Sequence, residues 1–233
     1  MTRTYLWLVL WGGLSLVAAC GSKDDAVMTT AGCSTPAASG CKVFVDDQAS
    51  FVRWAGPVTD AMTGGNSSAV VKVTAGTFCM SGVLDAGPTG AGWGAILHLG
   101  MSDVDEAMGA SHVVAPSNAS ALGVKQLKFT IDAPTLPGVV VQVTQMQSAD
   151  CTTIPDCILS FTPTTDLAGP GPVTIPLAEF TQADADQPNA TFDPTLLTGL
   201  QFYLPSAPGA PRSYDFCLEG LAFTDGDGKE VRP

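Results

Sequence analysis

Seven cysteines, two histidines and a few clustered acids are the side chains of this 233-residue chain with the most chemistry to offer. Catalytic arrangements are scarce among them. His98 stands between Leu97 and Leu99 and reads as a strand histidine with its own partners; His112 has no motif around it. No Gly-x-Ser-x-Gly elbow presents a nucleophile, and no His-Glu-x-x-His pair is spaced for zinc. Asp103, Asp105 and Glu106 are close in sequence, and glycoside cleavage uses paired carboxylates. They read better as an acidic loop face. The chain is expected not to be an enzyme.

The thiols say more. Cys20 ends the run Leu14-Ser15-Leu16-Val17-Ala18-Ala19. Before it lie one basic residue, Arg3, and an apolar stretch from Tyr5 to Val17. That is the layout of a secretory signal, with small residues before the cut. The stretch is short and broken by Gly12 and Gly13, whereas a membrane span needs about 20 apolar residues. The run up to Cys20 resembles the lipobox of bacterial lipoproteins, whose cysteine becomes the first mature residue and carries the lipid. The resemblance implies export and attachment to a membrane by acyl chains on Cys20. The alternatives are an ordinary signal peptide cut nearby or an uncleaved anchor.

Removing residues 1–19 takes Arg3 away and leaves 9 basic against 22 acidic residues, a net charge of −13. Such a balance argues against nucleic acid, which is held by Lys and Arg on phosphates. It argues equally against docking on anionic lipid, so the attachment falls to the acyl chains, at about 0.8 kcal/mol per buried CH₂.

With Cys20 lipidated, six cysteines remain, an even number that suggests disulfides in an exported protein. Many pairings are possible. Cys33 and Cys41 bracket a small-residue loop, and Cys151 and Cys157 bracket Thr-Thr-Ile-Pro-Asp, a turn between two strand-like runs. Cys79 and Cys217 then remain, both mid-strand, and a bridge there requires neighbouring strands. No Cys-x-x-Cys pair supports a metal site.

The elements that carry these groups are strands. Residues 21–40 are Gly, Ser, Ala, Thr and Asp with few large apolar side chains, and read with Cys20 as a flexible tether over 20–40. From Cys41 the pattern has period two. Leu127, Phe129 and Ile131 alternate with Lys128, Thr130 and Asp132; Leu200, Phe202 and Leu204 alternate with Gln201 and Tyr203. Val71–Thr74, Val139–Thr144 and Tyr214–Glu219 repeat it. One apolar and one polar face per strand predicts half-buried antiparallel sheets. Turn signals such as Gly64-Gly65-Asn66 and Gly169-Pro170-Gly171-Pro172 separate the runs. Short helical turns are expected at Ser102–Met108 and at Asp193–Leu197, with Asp193 as cap and Pro194 first. The expectation is an all-β chain, an antiparallel β-sandwich or jelly roll over 41–233.

Several segments together resemble a known group. Val43-Phe44-Val45-Asp46-Asp47 opens the domain; Phe78-Cys79-Met80-Ser81-Gly82 and Gly92-Trp93-Gly94-Ala95 follow. Tyr214-Asp215-Phe216-Cys217-Leu218-Glu219-Gly220-Leu221 closes it. This order resembles the galactose-binding-like β-sandwiches, and in particular bacterial outer-membrane lipoproteins of that fold. The resemblance implies a non-catalytic carbohydrate-binding module with a structural calcium ion between its first and last strands. Asp46, Asp47, Asp215 and Glu219 are the carboxylates for it, since Ca²⁺ takes oxygen ligands. The chain departs from the group at Gly220, where a carboxylate is usual. Gly21 and Ser22 lack the inner-membrane retention aspartate, which favours the outer membrane.

A sugar is gripped by an aromatic face with amides reading its hydroxyls. Trp93 is expected in the core and Tyr214 on the apolar face with Phe216. Tyr203, Gln201 and Gln142 are therefore the expected ligand-binding residues, on a polar sheet face. The alternatives are an envelope or adhesive lipoprotein that binds a protein partner and, further off, a hydrolase.

Overall fold

Period-two segments cannot hide their apolar side alone, and two sheets solve the problem by facing each other. The computed structural model describes residues 31–34, 43–45, 51–101, 116–136, 138–147, 158–164, 167, 169–183 and 189–231. Its strands in chain order are β1 (Ala31–Ser34), β2 (Val43–Phe44), β3 (Trp54–Thr59), β4 (Ser68–Thr74), β5 (Thr77–Leu84), β6 (Gly94–Gly100) and β7 (Gln126–Thr135). Then come β8 (Val140–Met146), β9 (Ile158–Pro163), β10 (Gly171–Pro176), β11 (Phe180–Ala183), β12 (Leu197–Pro205), β13 (Arg212–Thr224) and β14 (Glu230–Val231).

Sheet A runs β1-β4-β5-β13-β7-β10, with β14 also on β13; sheet B runs β11-β9-β8-β12-β6-β3-β2. The pairings between these strands are antiparallel. The chain is thus an all-β antiparallel sandwich. The core holds the alternation read from sequence. Leu127, Phe129, Ile131, Phe216 and Leu218 come from sheet A, and Leu97, Leu99, Val141, Leu200 and Phe202 from sheet B. Phe129 and Phe202 meet edge to face across the interior at 5.2 Å between ring centroids. Tyr214 is buried beside Phe216, and its hydroxyl donates to the Ser68 carbonyl at 2.8 Å. Burial without a counter-charge raises the Tyr214 phenol well above its ordinary pKa.

Three local results refine the sequence reading. β1 lies within the stretch expected to be a tether, yet it pairs with β4 from Ala31↔Val73 to Ser34↔Val70. Ladder hydrogen bonds come from the backbone, so a strand can dock on an open sheet edge without large side chains. The turn expected at Asp193–Leu197 is a short 3₁₀ helix, Pro194–Leu196, and the Asp193 side chain accepts from the Thr195 amide. Gly220 has φ +58 where β13 shifts register against β7 between Glu219 and Ala222. A left-handed bulge residue favours glycine, which gives Gly220 a backbone reason independent of any ligand. The helical turn expected at Ser102–Met108 lies outside the described residues.

Cys79 and Cys217 face each other in the β5–β13 ladder, 4.0 Å apart at Cα, and are bonded. The link closes a sequence separation of 138 residues. Cys33 sits on β1 opposite Val71; Cys41, Cys151 and Cys157 lie outside the described residues. In the chain-entropy picture so long a loop contributes on the order of 4 to 5 kcal/mol. Replacing Cys79 and Cys217 together by Ala is expected to lower the unfolding free energy by about 2 to 5 kcal/mol, read from the denaturant midpoint. Non-reducing peptide mapping is expected to recover the pair; free thiols with an unchanged midpoint would refute it.

Candidate functional site

The outward face of sheet B is fixed by what its strands bury. Leu97 and Leu99 point inward, so Ile96, His98 and Gly100 point out; Leu200, Phe202 and Leu204 do the same for Gly199, Gln201 and Tyr203. Ladder register then aligns the outward residues in rows across four strands. One row is Gly56–His98–Gln201–Gln142. On one side of it lies Val58–Ile96–Tyr203–Val140, and on the other Trp54–Gly100–Gly199–Thr144. The three expected ligand-binding residues, Tyr203, Gln201 and Gln142, are therefore neighbours, each partly exposed.

Two aromatic pairs flank the polar row. Trp54 packs edge-on to His98, with ring centroids 4.7 Å apart. Its indole covers Gly100 so closely that a Cβ there would come within 2.0 Å of Trp54 Cε2. Gly199 likewise leaves room for His98, whose Nε2 would be 3.2 Å from a Cβ. At the opposite side Trp93 and Tyr203 lie 6.2 Å apart at their ring centroids. Trp93 is half-buried rather than in the core, a correction to the sequence expectation. It precedes β6 and stands with its ring beside Tyr203 instead of between the sheets.

A buried carboxylate holds this second pair. Asp60, in the 3₁₀ turn Asp60–Met62 that ends β3, is fully buried. It accepts from the Ser67 amide at 3.0 Å, the Ser67 hydroxyl at 3.1 Å and the Gly94 amide at 2.7 Å. Gly65 packs on it: a Cβ there would fall 2.1 Å from Asp60 Cγ. The Asp60 carbonyl accepts from Thr63 Oγ1, which in turn accepts from Trp93 Nε1 at 3.0 Å. The Tyr203 hydroxyl donates to the Trp93 carbonyl at 2.8 Å. Burial, and secondarily the Asp60 charge, raises the Tyr203 phenol above its ordinary pKa, so it stays a donor at neutral pH.

Of the expected calcium ligands, Asp215 and Glu219 are among the described residues. Asp215 and Glu219 are exposed on the outer face of β13, in the middle of sheet A, on either side of Cys217. β2, which leads toward Asp46 and Asp47, is the edge strand of sheet B; the two aspartates themselves lie outside the described residues. Among the described residues no three His, Cys, Asp or Glu side chains are grouped to hold a metal ion. Asp103, Asp105, Glu106, His112 and Cys20 also lie outside the described residues.

A separate cavity of about 390 Å³ is lined by Val124, Leu177, Phe180, Phe192 and Pro194, with Lys125 among its polar members. It shares no lining residue with the rows on sheet B.

The sequence reading did not place Asp60 or assign Trp54 and His98 to the face. Alternation of Trp54, Gly56 and Val58 was the available signal, interrupted by Pro57. The fold and face together define an all-β sandwich with a mixed aromatic and amide surface on one sheet. No family model, no curated protein and no solved structure matches the chain.

Asp60→Ala leaves the Ser67 and Gly94 amides without their acceptor, while the Ser67 hydroxyl keeps the Asp85 carbonyl at 3.3 Å. Its expected cost is about 3 kcal/mol, read by thermal unfolding, with a shifted tryptophan emission as Trp93 loosens. An unchanged melt and spectrum would show that the carboxylate does not hold the turn.

Proposed function

We propose that the chain is an exported lipoprotein, anchored through acyl chains on Cys20 to the outer membrane. In this reading its sandwich binds glycan on the outward face of sheet B without cleaving it. The observation that carries the binding part is the row His98–Gln201–Gln142, set between the pairs Trp54–His98 and Trp93–Tyr203. Amides offer both donors and acceptors, which suits sugar hydroxyls, and aromatic rings suit the apolar face of a pyranose. Asp60 is the carboxylate nearest this arrangement by bonding, and its oxygens are already engaged by Ser67 and Gly94. It therefore serves as a support for Trp93 and Tyr203 and not as an acid for bond cleavage.

A second reading keeps the face and changes the ligand. Val58 is 44% exposed and stands in one row with Ile96 and Val140, which favours a protein partner in the envelope.

The binding test uses the full chain in a detergent without a sugar head group, titrated with a glycan panel in calcium and in chelator. Saturable binding to one glycan class is expected, weakened about tenfold in Gln142→Ala and Gln201→Ala, with melting unchanged. Absence of saturable binding across the panel would refute the glycan reading and leave the protein-partner reading. The anchor has its own test. Cys20→Ser is expected to abolish incorporation of labelled fatty acid and to release the protein from the membrane fraction. Retained label would place the lipid elsewhere.

A further inference from the structure

The outer face of sheet A sets a disulfide between opposite charges. Lys72 on β4 stands opposite Cys79 on β5, Cys79 is bonded to Cys217 on β13, and Cys217 stands opposite Asp132 on β7. The row is therefore Lys72–Cys79–Cys217–Asp132. Cross-strand neighbours of this kind bring their Cβ atoms within about 5.5 Å. Along β13, Asp215 and Glu219 share the outward side with Cys217, each about 6.6 Å away along the strand. The four charged residues are exposed, and both cysteines are partly exposed. One sulfur thus has a cation beside it, and the other has carboxylates around it.

We infer that this bond is a thiol–disulfide exchange site that accepts a positively charged thiol at Cys217. Displacement at a disulfide sulfur is in line, so the thiolate enters on the side opposite the sulfur that leaves. Attack on Cys217 Sγ enters from the β7 side, past Asp132, and expels Cys79 Sγ toward Lys72 on the β4 side. The incoming thiol has already lost its proton to solvent. Its sulfur gives an electron pair to Cys217 Sγ, the Cys79–Cys217 bond breaks, and the pair from that bond leaves on Cys79 Sγ as a thiolate. One disulfide replaces another, and no outside oxidant or reductant enters. Return attack by Cys79 on Cys217 releases the thiol and restores the bond.

Charge selects both the sulfur and the substrate. A cation beside a thiolate stabilises it, and Lys72 has that part for Cys79 as it leaves. Attack at the other sulfur would expel Cys217 among Asp132, Asp215 and Glu219, which oppose a developing negative charge. An ammonium or guanidinium next to the incoming thiol is drawn to the same carboxylates and repelled by Lys72. Entry and departure therefore agree for a cationic thiol at Cys217, and they conflict for an anionic one. The strands need not part during exchange. The β5–β13 ladder runs from Arg212↔Leu84 to Leu218↔Phe78, with backbone pairing on both sides of the bridge. The inference is independent of the glycan reading, which concerns the opposite sheet.

The experiment treats the folded full chain, in chelator and the same detergent, with four thiols. Two are cationic, cysteamine and the tripeptide Lys-Cys-Lys; mercaptoethanol is neutral and mercaptopropionate is anionic. Timed samples are quenched with N-ethylmaleimide and mapped by mass spectrometry without reduction. Rates are compared per thiolate at about 0.01 M and about 1 M salt. Cysteamine is expected to form a mixed disulfide at Cys217, with Cys79 alkylated, at least about threefold faster than mercaptoethanol in low salt. Mercaptopropionate is expected to be the slowest, and the differences to shrink below about 1.5-fold in high salt. Lys72→Gln is expected to slow exchange about threefold with an unchanged melting temperature. Asp132→Asn and Glu219→Gln are each expected to reduce the preference for cysteamine over mercaptoethanol.

A mixed disulfide at Cys79, with Cys217 freed, would overturn the direction of exchange and the part given to Lys72. Equal rates for cationic, neutral and anionic thiols in low salt would overturn the selection by charge. A bond that stays closed to all four thiols until the chain unfolds would overturn the site and leave a bridge that only stabilises. Faster exchange with the tripeptide than with cysteamine would support the inference and assign the thiol to a basic peptide segment. The reverse order would support it and assign the thiol to a small amine.

Discussion

A β-strand has two sides, and burying one obliges the chain to present the other. Everything on the outward face of sheet B depends on that constraint. Leu97 and Leu99 are fully buried, and the residue between them must therefore face out. The same holds for Gln201 between Leu200 and Phe202, and for Gln142 between Val141 and Val143. A slip of one residue in β12 would bury Gln201 and Tyr203 and expose Phe202, so the core specifies the face. The polar row is held in register by the hydrophobic effect acting on its neighbours.

Among the described residues one carboxylate, Asp60, is fully buried, and it performs a mechanical task. An ionised carboxylate loses its hydration on burial and is tolerated when fixed donors replace the water. Asp60 has two backbone amides and a hydroxyl in that role. These donors come from the segment after β3 and from the start of β6, so the carboxylate ties together two parts of the chain far apart in sequence. Thr63 and Trp93 extend the tie to the surface. The Cys79–Cys217 bond does a comparable job on the opposite sheet, joining β5 to β13 across a sequence separation of 138 residues.

What sequence could show was the side of each strand, and what it could not show was who stands beside whom. Period-two alternation located the buried faces at Leu127–Ile131, Leu200–Leu204 and Tyr214–Leu218, and all of these apolar residues are in the core. It also located Asp193 as a cap, because capping is local. Neighbours such as Trp54 over Gly100 arise from the β3–β6 register, which no single segment encodes. Trp93 was misread for a related reason: its glycine-rich surroundings look like a packed strand, but they serve a close approach to Asp60. β1 was missed because its attachment is made by backbone groups, which every sequence has. The turn Ala75-Gly76 between β4 and β5 also gave little warning, with Ala75 at φ +46 where Asn or Gly is the usual residue.

The sheet edges of the described fold are guarded against strand addition. An open edge strand offers unpaired amides and carbonyls to any extended chain, a hazard that proteins blunt with short strands, prolines and bulges. All three devices are present here. β2 and β1 are short edge strands, Val43–Phe44 and Ala31–Ser34. β10, at the other edge of sheet A, contains Pro172 and Pro176. β11, at the other edge of sheet B, shifts register between Phe180 and Gln182. Recognition by strand addition is disfavoured at each of them. Among the described residues, the outer face of sheet A carries charged groups around a disulfide, and the rows across β3, β6, β12 and β8 of sheet B carry aromatic and amide groups.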